Sequence, residues 1–179
     1  MGVLCFGFSS PDALTPLVSR YKEKIEDCKN PVGAYVNNNV MVTTQMLCME
    51  DGAKARKIFL DADTNYFIGI LFHYLDTFPR PAGIPDWPEI LPAVTPDQLD
   101  AAIAAGEMAI GSPDEVAKTV ERYVATGADQ LSFGMLSTSI SLENCQEAVE
   151  TFGKNVLKEF DKDPVHSTTK QRLAAATAS

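Results

Sequence analysis

The sequence has few of the residues on which metal, disulfide and nucleic-acid sites depend. Its 179 residues include four cysteines without a CxxC pair and only two histidines, His73 and His166. A zinc site would need unusual ligands, and the apolar surroundings of Cys5 and Cys48 favour structural thiols, so no metal is expected. There are 15 Lys and Arg against 24 Asp and Glu, a net charge of −9, with no basic cluster. This balance argues against a nucleic-acid partner.

Long apolar segments are also missing. The run at residues 3–8 is short, with no basic segment before it and no small-residue cleavage site after it. The longest other run, residues 66–75, is interrupted by His73 and is too short to span a bilayer. We therefore expect no membrane insertion and a location in the reducing cytoplasm.

The length and composition that remain are those of one ordinary domain. Hydrophobic residues make up 45% of the chain and charged residues 22%. A chain of this size buries roughly 70% of its unfolded surface on folding. Composition alone therefore indicates no function, and the order of the elements and the local motifs carry the remaining information.

Three apolar or β-branched segments predict strands, at residues 3–8, 40–49 and 128–135. Helical patterns separate them, and strands joined by helical crossovers predict parallel pairing and an α/β class. Three parallel strands leave two open edges, which proteins normally cover or pair. We expect a neighbour outside the monomer to cover them.

The first two helices are predicted from their starting residues. Ser10 is a predicted N-cap with Pro11 at the first helical position. Pro16 predicts an irregular first turn, or a true start near Thr15. A long helix is predicted over residues 50–77, with a break near Asp63, and its first acidic residues would offset the helix dipole.

The strongest local signal is the capping box Ser112-Pro113-Asp114-Glu115. The helix that it opens is expected to bury a stripe and to end at Gly127 in a left-handed conformation. The predicted buried stripe consists of Val116, Val120, Tyr123 and Val124. A final helix with apolar residues at helical spacing is predicted to run to Phe160.

Two segments are less regular. Residues 78–96 contain six prolines and the single Trp, which predicts a long loop before a short helix that begins at Thr95 and ends near Ala105. Residues 161–179 are polar and then of low complexity. We assign residues 1–160 to one domain and interpret 161–179 as a disordered tail, a frayed helix or a vector-derived remnant.

The second half of the chain resembles the closing region of the luciferase-like monooxygenase family. The similarity lies in I-G-S-P-D-E-V-A at residues 110–117 and in Y-V-A-T-G-A-D-Q-L at residues 123–131. Residues 2–11 resemble the sixth barrel strand with its turn, and residues 40–56 resemble the seventh strand with its helix. The resemblance covers nearly all of residues 2–160, and the joint order of the motifs is more specific than any one of them.

The resemblance implies a partial (β/α)8 barrel, with about three parallel strands that correspond to barrel strands six to eight, and flanking helices. Family members bind reduced FMN or the deazaflavin F420 at the C-terminal face, where they activate oxygen or transfer hydride. Much of the family's flavin contact belongs to strands that are absent here, so no catalytic residue is assigned. The remaining turns offer four candidate cofactor-binding residues: Ser9, Ser10, Ser137 and Thr138.

Three of the four candidates also have a simpler structural role. Helix capping is the commoner role of Ser10, and also of Ser137 and Thr138, although the last two could donate to a phosphate at a helix N-terminus. Glu50 is expected to offset a helix dipole rather than to transfer protons.

Three functional hypotheses follow. The first is a truncated or engineered part of a flavin-dependent monooxygenase, inactive alone and forming a homo-oligomer through its open edges. The second is a flavin-like small-molecule binding protein without oxygen chemistry. The third is a dimer that assembles a composite active site. FMN, F420 or no cofactor is compatible with the first hypothesis.

Overall fold

The computed structural model describes residues 2–7, 10–33, 36–62, 82–83, 94–135, 139–163, 165 and 167–177. Within them the chain is a mixed α/β structure with a parallel sheet and flanking helices, as predicted. The strands are β1 (Val3–Phe6), β2 (Val40–Cys48), β3 (Met108–Gly111) and β4 (Gln130–Gly134). The helices are α1 (Pro11–Glu26), α2 (Gly52–Asp61), α3 (Pro96–Ala104), α4 (Pro113–Ala125), α5 (Leu142–Asn155), α6 (Leu157–Phe160) and α7 (Ser167–Thr177).

β2 is the central strand, and the other three strands all pair with it in parallel. β1 pairs with residues 40–43 and β4 with residues 41–45, so these two strands must lie on opposite edges of β2. β3 and β4 both pair with Gln45, which places β3 on the same edge as β1. The sheet therefore contains four strands but is only three strands wide.

β3 was not among the predicted strands, so the expected count of about three parallel strands was one too few. Gly106, with φ of 74°, turns the chain out of α3 and into β3. The strand has four residues, too few to show a period of two, and the pairing of Ala109 and Ile110 with β2 supports it.

The strand order explains why helices cover both faces of the sheet. Right-handed crossovers are the rule for parallel strands. From β1 the chain crosses to β2, and it then goes back to β3, which lies on the same edge of β2 as β1. From β3 it crosses β2 to reach β4 on the opposite edge. A right-handed connection on the return step must use the opposite face, so α2 and α3 lie opposite α1 and α4. We call these the α2 face and the α1 face.

The core follows the same division. Even-numbered residues of β2 face α1 and α4, and the buried residues on that side are Leu14, Val18, Val40, Val42, Met46, Cys48, Ala109, Val116, Val120, Tyr123 and Val156. Odd-numbered residues near the end of β2 face α2, α3 and α5, with buried Leu47, Met49, Ala55, Phe59, Leu99, Ile110 and Ala148. Alternation of side chains along a strand produces this division.

The α2 face is not covered evenly. Leu4 and Phe6 of β1 pair with Met41 and Thr43, so they share this face at the start of β2. Leu4 is 50% exposed and Phe6 42% exposed. Large apolar side chains with this exposure on a sheet face suggest a surface that is completed by other groups.

The start of α1 confirms the predicted cap, but the expected irregularity at Pro16 is wrong. Ser10 is the N-cap, Pro11 is the first helical residue, and the helix continues through Pro16 to Glu26. A proline in the second turn removes the backbone hydrogen bond to the Asp12 carbonyl, and the helix continues without it. In the same turn, Thr15 Oγ1 donates to the Pro11 carbonyl at 3.2 Å.

α4 confirms the predicted start at Ser112 and the predicted end, where Gly127 has φ of 79°. Val124 is a correction, because its side chain is 59% exposed rather than buried. Thr119 is buried instead. The buried stripe of a 3.6-residue helix is narrow enough that Tyr123 points inward while its neighbour Val124 points away.

The remaining helices differ from the predictions at their ends. α2 ends at Asp61, and the rest of the predicted 50–77 helix lies outside the described residues except for Ala62. The short helix after Thr95 is confirmed as α3. The final helix is interrupted at Val156, and Leu142, Val149 and Leu157 are exposed on it. The segment after residue 160 contains a helix, α7.

In the described part of the chain, no helix is both long enough and apolar enough to cross a membrane.

Candidate functional site

The carboxyl ends of the four strands lie at one end of the sheet, because all strands are parallel. Ligands of open parallel sheets bind at this end, which makes its turns the candidate site. Of the predicted cofactor-binding residues, the structure describes Ser10. Ser9, Ser137 and Thr138 lie outside the described residues.

Ser10 is a half-buried residue at the N-terminus of α1. Its backbone carbonyl accepts a hydrogen bond from Ala13 N at 3.0 Å, but its hydroxyl makes no capping hydrogen bond. The capping role predicted from the sequence is therefore fulfilled by position and backbone rather than by the side chain. The hydroxyl retains a donor and an acceptor for another partner.

The turn after β2 is held by its acidic residues. Asp51 is the N-cap of α2, and its Oδ1 accepts hydrogen bonds from Ala53 N at 2.9 Å and Lys54 N at 3.1 Å. Glu50 Oε1 accepts a hydrogen bond from Asn155 Nδ2 at 2.9 Å, which joins the turn to α5. Both carboxylates act structurally here, in keeping with their expected role at a helix start.

An ion pair between Arg56 and Glu115 connects α2 and α4 at the same end of the sheet. Arg56 Nη2 lies 2.6 Å from Glu115 Oε1, and Arg56 Nη1 donates to Glu115 Oε2 at 3.2 Å. Arg56 Nε donates to Asp100 Oδ1 of α3 at 2.9 Å. The backbone N–H of Ser112 donates to Glu115 Oε2 at 2.8 Å. The Arg56 guanidinium thus links α2, α3 and α4, and it contacts the Glu115 carboxylate with the bidentate geometry that arginine favours.

Two glycines make room for this ion pair. A Cβ added to Gly52 would lie 2.7 Å from Glu115 Oε2 and 2.8 Å from the Ser112 backbone nitrogen. Gly111, at the end of β3, has φ of 148° and would also place a Cβ against the Glu115 carboxylate. The α2 and α4 helices leave the sheet toward opposite faces at this point, where a doubly wound sheet usually has its ligand crevice. Here the ion pair occupies that position.

The electrostatics of the pair exclude it from proton transfer near neutral pH. Hydrogen bonding to Arg56 lowers the pKa of Glu115 to about 2, against the opposing effect of burial. The same contact raises the pKa of Arg56 further above its already high value. A general acid or base works best with a pKa near the working pH, and neither group has one.

The buried thiols are equally inactive. Burial raises the pKa of Cys48 to about 11 and also raises the pKa of Cys145. Both thiols are protonated at neutral pH, whereas a nucleophilic cysteine requires the thiolate. Within the described residues, no three His, Cys, Asp or Glu side chains are grouped as a metal site would require.

Glu115 was predicted from its capping box, whereas its partner Arg56 was not predicted from the sequence. The two residues are 59 positions apart, and the helix start at Asp51 was the local signal that placed Arg56 one turn into α2. The available sign of a functional role was the position of Arg56, one turn into a helix that begins with a glycine shortly after a strand. This position indicates a partner on α4 only once β2 and β3 are known to be neighbours.

No protein-family model matches the sequence, and no curated protein matches it. Among solved structures, the chain is similar to the monooxygenase RslO1 from Streptomyces bottropensis, with a TM-score of 0.60 and 17% identity over 89% of this chain and 42% of that one. Another similar structure is apo-MsnO8, with a TM-score of 0.40 and 14% identity over 79% of this chain and 42% of that one. The chain thus spans less than half the length of either protein. The similarity to RslO1 shows a shared fold.

Proposed function

We propose that the chain is part of a flavin-dependent, luciferase-like monooxygenase barrel, and that it is inactive on its own. The observation that carries the proposal is the fold similarity to RslO1, which extends over 89% of this chain but only 42% of the monooxygenase. A (β/α)8 barrel has eight strands around its wall and its helices in an outer ring. Four parallel strands are described here, and α2 and α3 cover the face opposite α1 and α4. To form such a barrel, this sheet would have to gain strands from outside the described residues and rearrange its helices.

The cofactor proposed for the completed barrel is FMN or F420, held at the carboxyl ends of the strands. The Ser10 hydroxyl at the start of α1 is suited to a phosphate oxygen, since it makes no capping bond and a helix N-terminus attracts anions. Asp12 follows in the first turn, but Arg122 Nη2 donates to its Oδ2 at 3.1 Å and offsets its charge. A bound reduced flavin would supply the electrons for oxygen activation or hydride transfer. Ser9, Ser137 and Thr138 are proposed as further contacts.

We also propose that the chain self-associates through its sheet edges. Its proposed location is the cytoplasm. The exposed Leu4 and Phe6 side chains on the α2 face support self-association, because exposed apolar surface of this kind mediates contacts between chains. The edge of β4 that faces away from β2 pairs with no strand within the described ranges. Parallel strands with an unpaired edge readily add further strands.

Sedimentation velocity across micromolar concentrations tests self-association. We expect oligomers for the wild-type chain and a shift toward monomer for Leu4→Lys. The matched control is Leu173→Lys, at a side chain of α7 that is 61% exposed. A wild-type chain that stays monomeric throughout would remove this part of the proposal.

An activity assay distinguishes an inactive part of a barrel from a chain that is a working enzyme. Purified protein is incubated with reduced FMN, and separately with reduced F420, and the consumption of oxygen or the oxidation of the cofactor is compared with buffer. We expect no acceleration over buffer. Protein-dependent turnover would contradict inactivity and would favour an active site assembled by two chains.

A flavin-like binding protein without oxygen chemistry is the second candidate, supported by the same Ser10 observation. Titration of the purified protein with oxidised FMN, followed by flavin fluorescence, distinguishes it from the first. Saturable binding that weakens in Ser10→Ala but not in Ser141→Ala, a serine that already caps α5 through Asn144 N at 3.3 Å, would favour the binding protein. Absence of binding at millimolar FMN would exclude it.

A further inference from the structure

A cavity of about 580 Å³ lies on the α1 face of the sheet, away from the carboxyl ends of the strands. It is bounded by β4, by α4, by α5 with α6, and by four residues after α6: Asp161, Asp163, Val165 and Lys170. It reaches the amino-terminal end of β4 at Asp129. The volume is within the range of small-molecule sites in proteins, which are concave and mostly apolar with a few polar groups.

The inner wall of the cavity is aromatic and aliphatic. Leu131 and Phe133 extend from β4, and Phe152 and Phe160 approach from α5 and α6. The Phe133 and Phe152 rings meet edge to face, with centroids 5.1 Å apart and an interplanar angle of 68°. Such a wall binds an apolar group, and ring faces attract a cation positioned over them.

The charged part of the lining is mostly acidic. Among the described residues it contains the carboxylates of Asp129, Asp161 and Asp163 and one cation, Lys170. Lys170 pairs with Asp163, and Asp129 pairs with Lys22 at 2.5 Å. Asp161 makes no ion pair with any residue in the described part of the chain. Since the whole chain carries a net charge of −9, its long-range field also attracts cations.

We propose that this cavity binds an amphiphilic monocation, an amine whose aromatic or alkyl group enters the phenylalanine-lined wall while its ammonium group meets the carboxylates. The site is independent of the proposed flavin site, since it lies on the opposite side of the chain from the strand ends. Its charge disfavours a flavin phosphate. Failure of flavin binding therefore leaves this proposal intact, and the reverse also holds.

Three probes of the same size and different charge test the proposal: 4-phenylbutylamine, 4-phenylbutanol and 4-phenylbutyrate. Binding to the full chain is measured by calorimetry and by amide NMR shifts, at low salt and at high salt. We expect the amine to bind at least threefold more tightly than the alcohol and the acid most weakly, with the preference reduced by salt. Shifts should centre on residues 129–133 and 152–163. Equal binding of all three probes, or shifts centred elsewhere, would overturn the proposal.

A charge-matched pair of variants tests the role of the carboxylates in the cavity lining. Asp161→Asn/Asp163→Asn removes two carboxylates of the lining, and Asp97→Asn/Asp114→Asn removes two exposed carboxylates elsewhere. We expect the first variant to weaken amine binding about threefold to tenfold, without affecting the alcohol, and the second to change it less than twofold. All four substitutions are at exposed positions, which protects the fold. Equal weakening in both variants would reduce the effect to net charge and refute a built site.

Discussion

The Arg56–Glu115 ion pair leads to a quantitative prediction about acid stability. Glu115→Gln keeps the size and hydrogen-bonding capacity of the side chain but removes its charge. A pKa that falls from 4.5 to about 2 on folding corresponds to at most about 3.4 kcal/mol of stability at neutral pH. The Glu115 side chain is 35% exposed and that of Arg56 25% exposed, so solvent screening reduces this figure. We expect a loss of about 1–2 kcal/mol at pH 7.

The sign of the pH dependence follows from the lowered pKa. A carboxylate with a depressed folded-state pKa contributes stability above its unfolded-state value near 4.5, and that contribution disappears as the pH falls toward 2. Linkage gives a loss of roughly 40% of the effect by pH 3.5. The free-energy difference between wild type and Glu115→Gln should therefore be constant from pH 7 to about pH 6 and shrink below pH 5.

Urea unfolding at a series of pH values measures this difference. The control is Glu121→Gln, an exposed glutamate on the same helix, which should change the free energy of unfolding by less than about 0.5 kcal/mol at every pH. A difference for Glu115→Gln that stays constant down to pH 3.5 would refute the electrostatic argument. A difference no larger than that of the control would show that the ion pair contributes nothing to stability.

Further predictions concern glycines and cysteines. Gly127→Ala should destabilise the protein by about 1 kcal/mol because φ is 79°, and Gly153→Ala in α5 should stabilise it by about 0.5–1 kcal/mol because an added Cβ meets open space. Urea unfolding of both variants checks this, and changes of the same sign would contradict it. Cys48 is fully buried with a pKa near 11, so a thiol reagent under native conditions should modify it more than tenfold more slowly than in urea. Mass spectrometry of the labelled peptides measures the rates, and equal rates would contradict the burial.

Local chemistry made part of this fold predictable from sequence. The Ser112–Glu115 motif specifies a helix start through contacts within four residues, and Gly127 specifies a helix end through its own backbone preference. The β-branched residues of β2 likewise predicted a strand at the correct place. Each of these signals depends on neighbours in the chain, so it can be read without knowing the fold.

The features that were missed depend on contacts distant in sequence. The four residues of β3 form a strand through pairing with β2, and Arg56 reaches Glu115 across 59 positions. The placement of α2 on the opposite face follows from the return of the chain to the β1 edge of β2. That return is a property of the strand order, which local sequence does not specify. At the candidate site, Ser10 was predicted from the sequence, whereas only the folded structure shows that its hydroxyl makes no capping hydrogen bond.

Hydrogen exchange at the edge of the sheet tests most directly whether neighbouring chains complete it, as proposed. The carbonyls of Asn39 and Thr43 accept hydrogen bonds from the β1 side, so the backbone N–H and C=O groups of the even-numbered residues of β2 face β4. With Val42 paired to Leu131, the Ser132 N–H points to β2 and the Leu131 N–H points away from it. NMR-detected exchange is measured at 10-fold different protein concentrations, with the Ser132 N–H as the internal reference. We predict that the Leu131 amide becomes more protected as the concentration rises while Ser132 remains protected throughout. Fast exchange at Leu131 that does not change with concentration would contradict completion of the sheet by neighbouring chains.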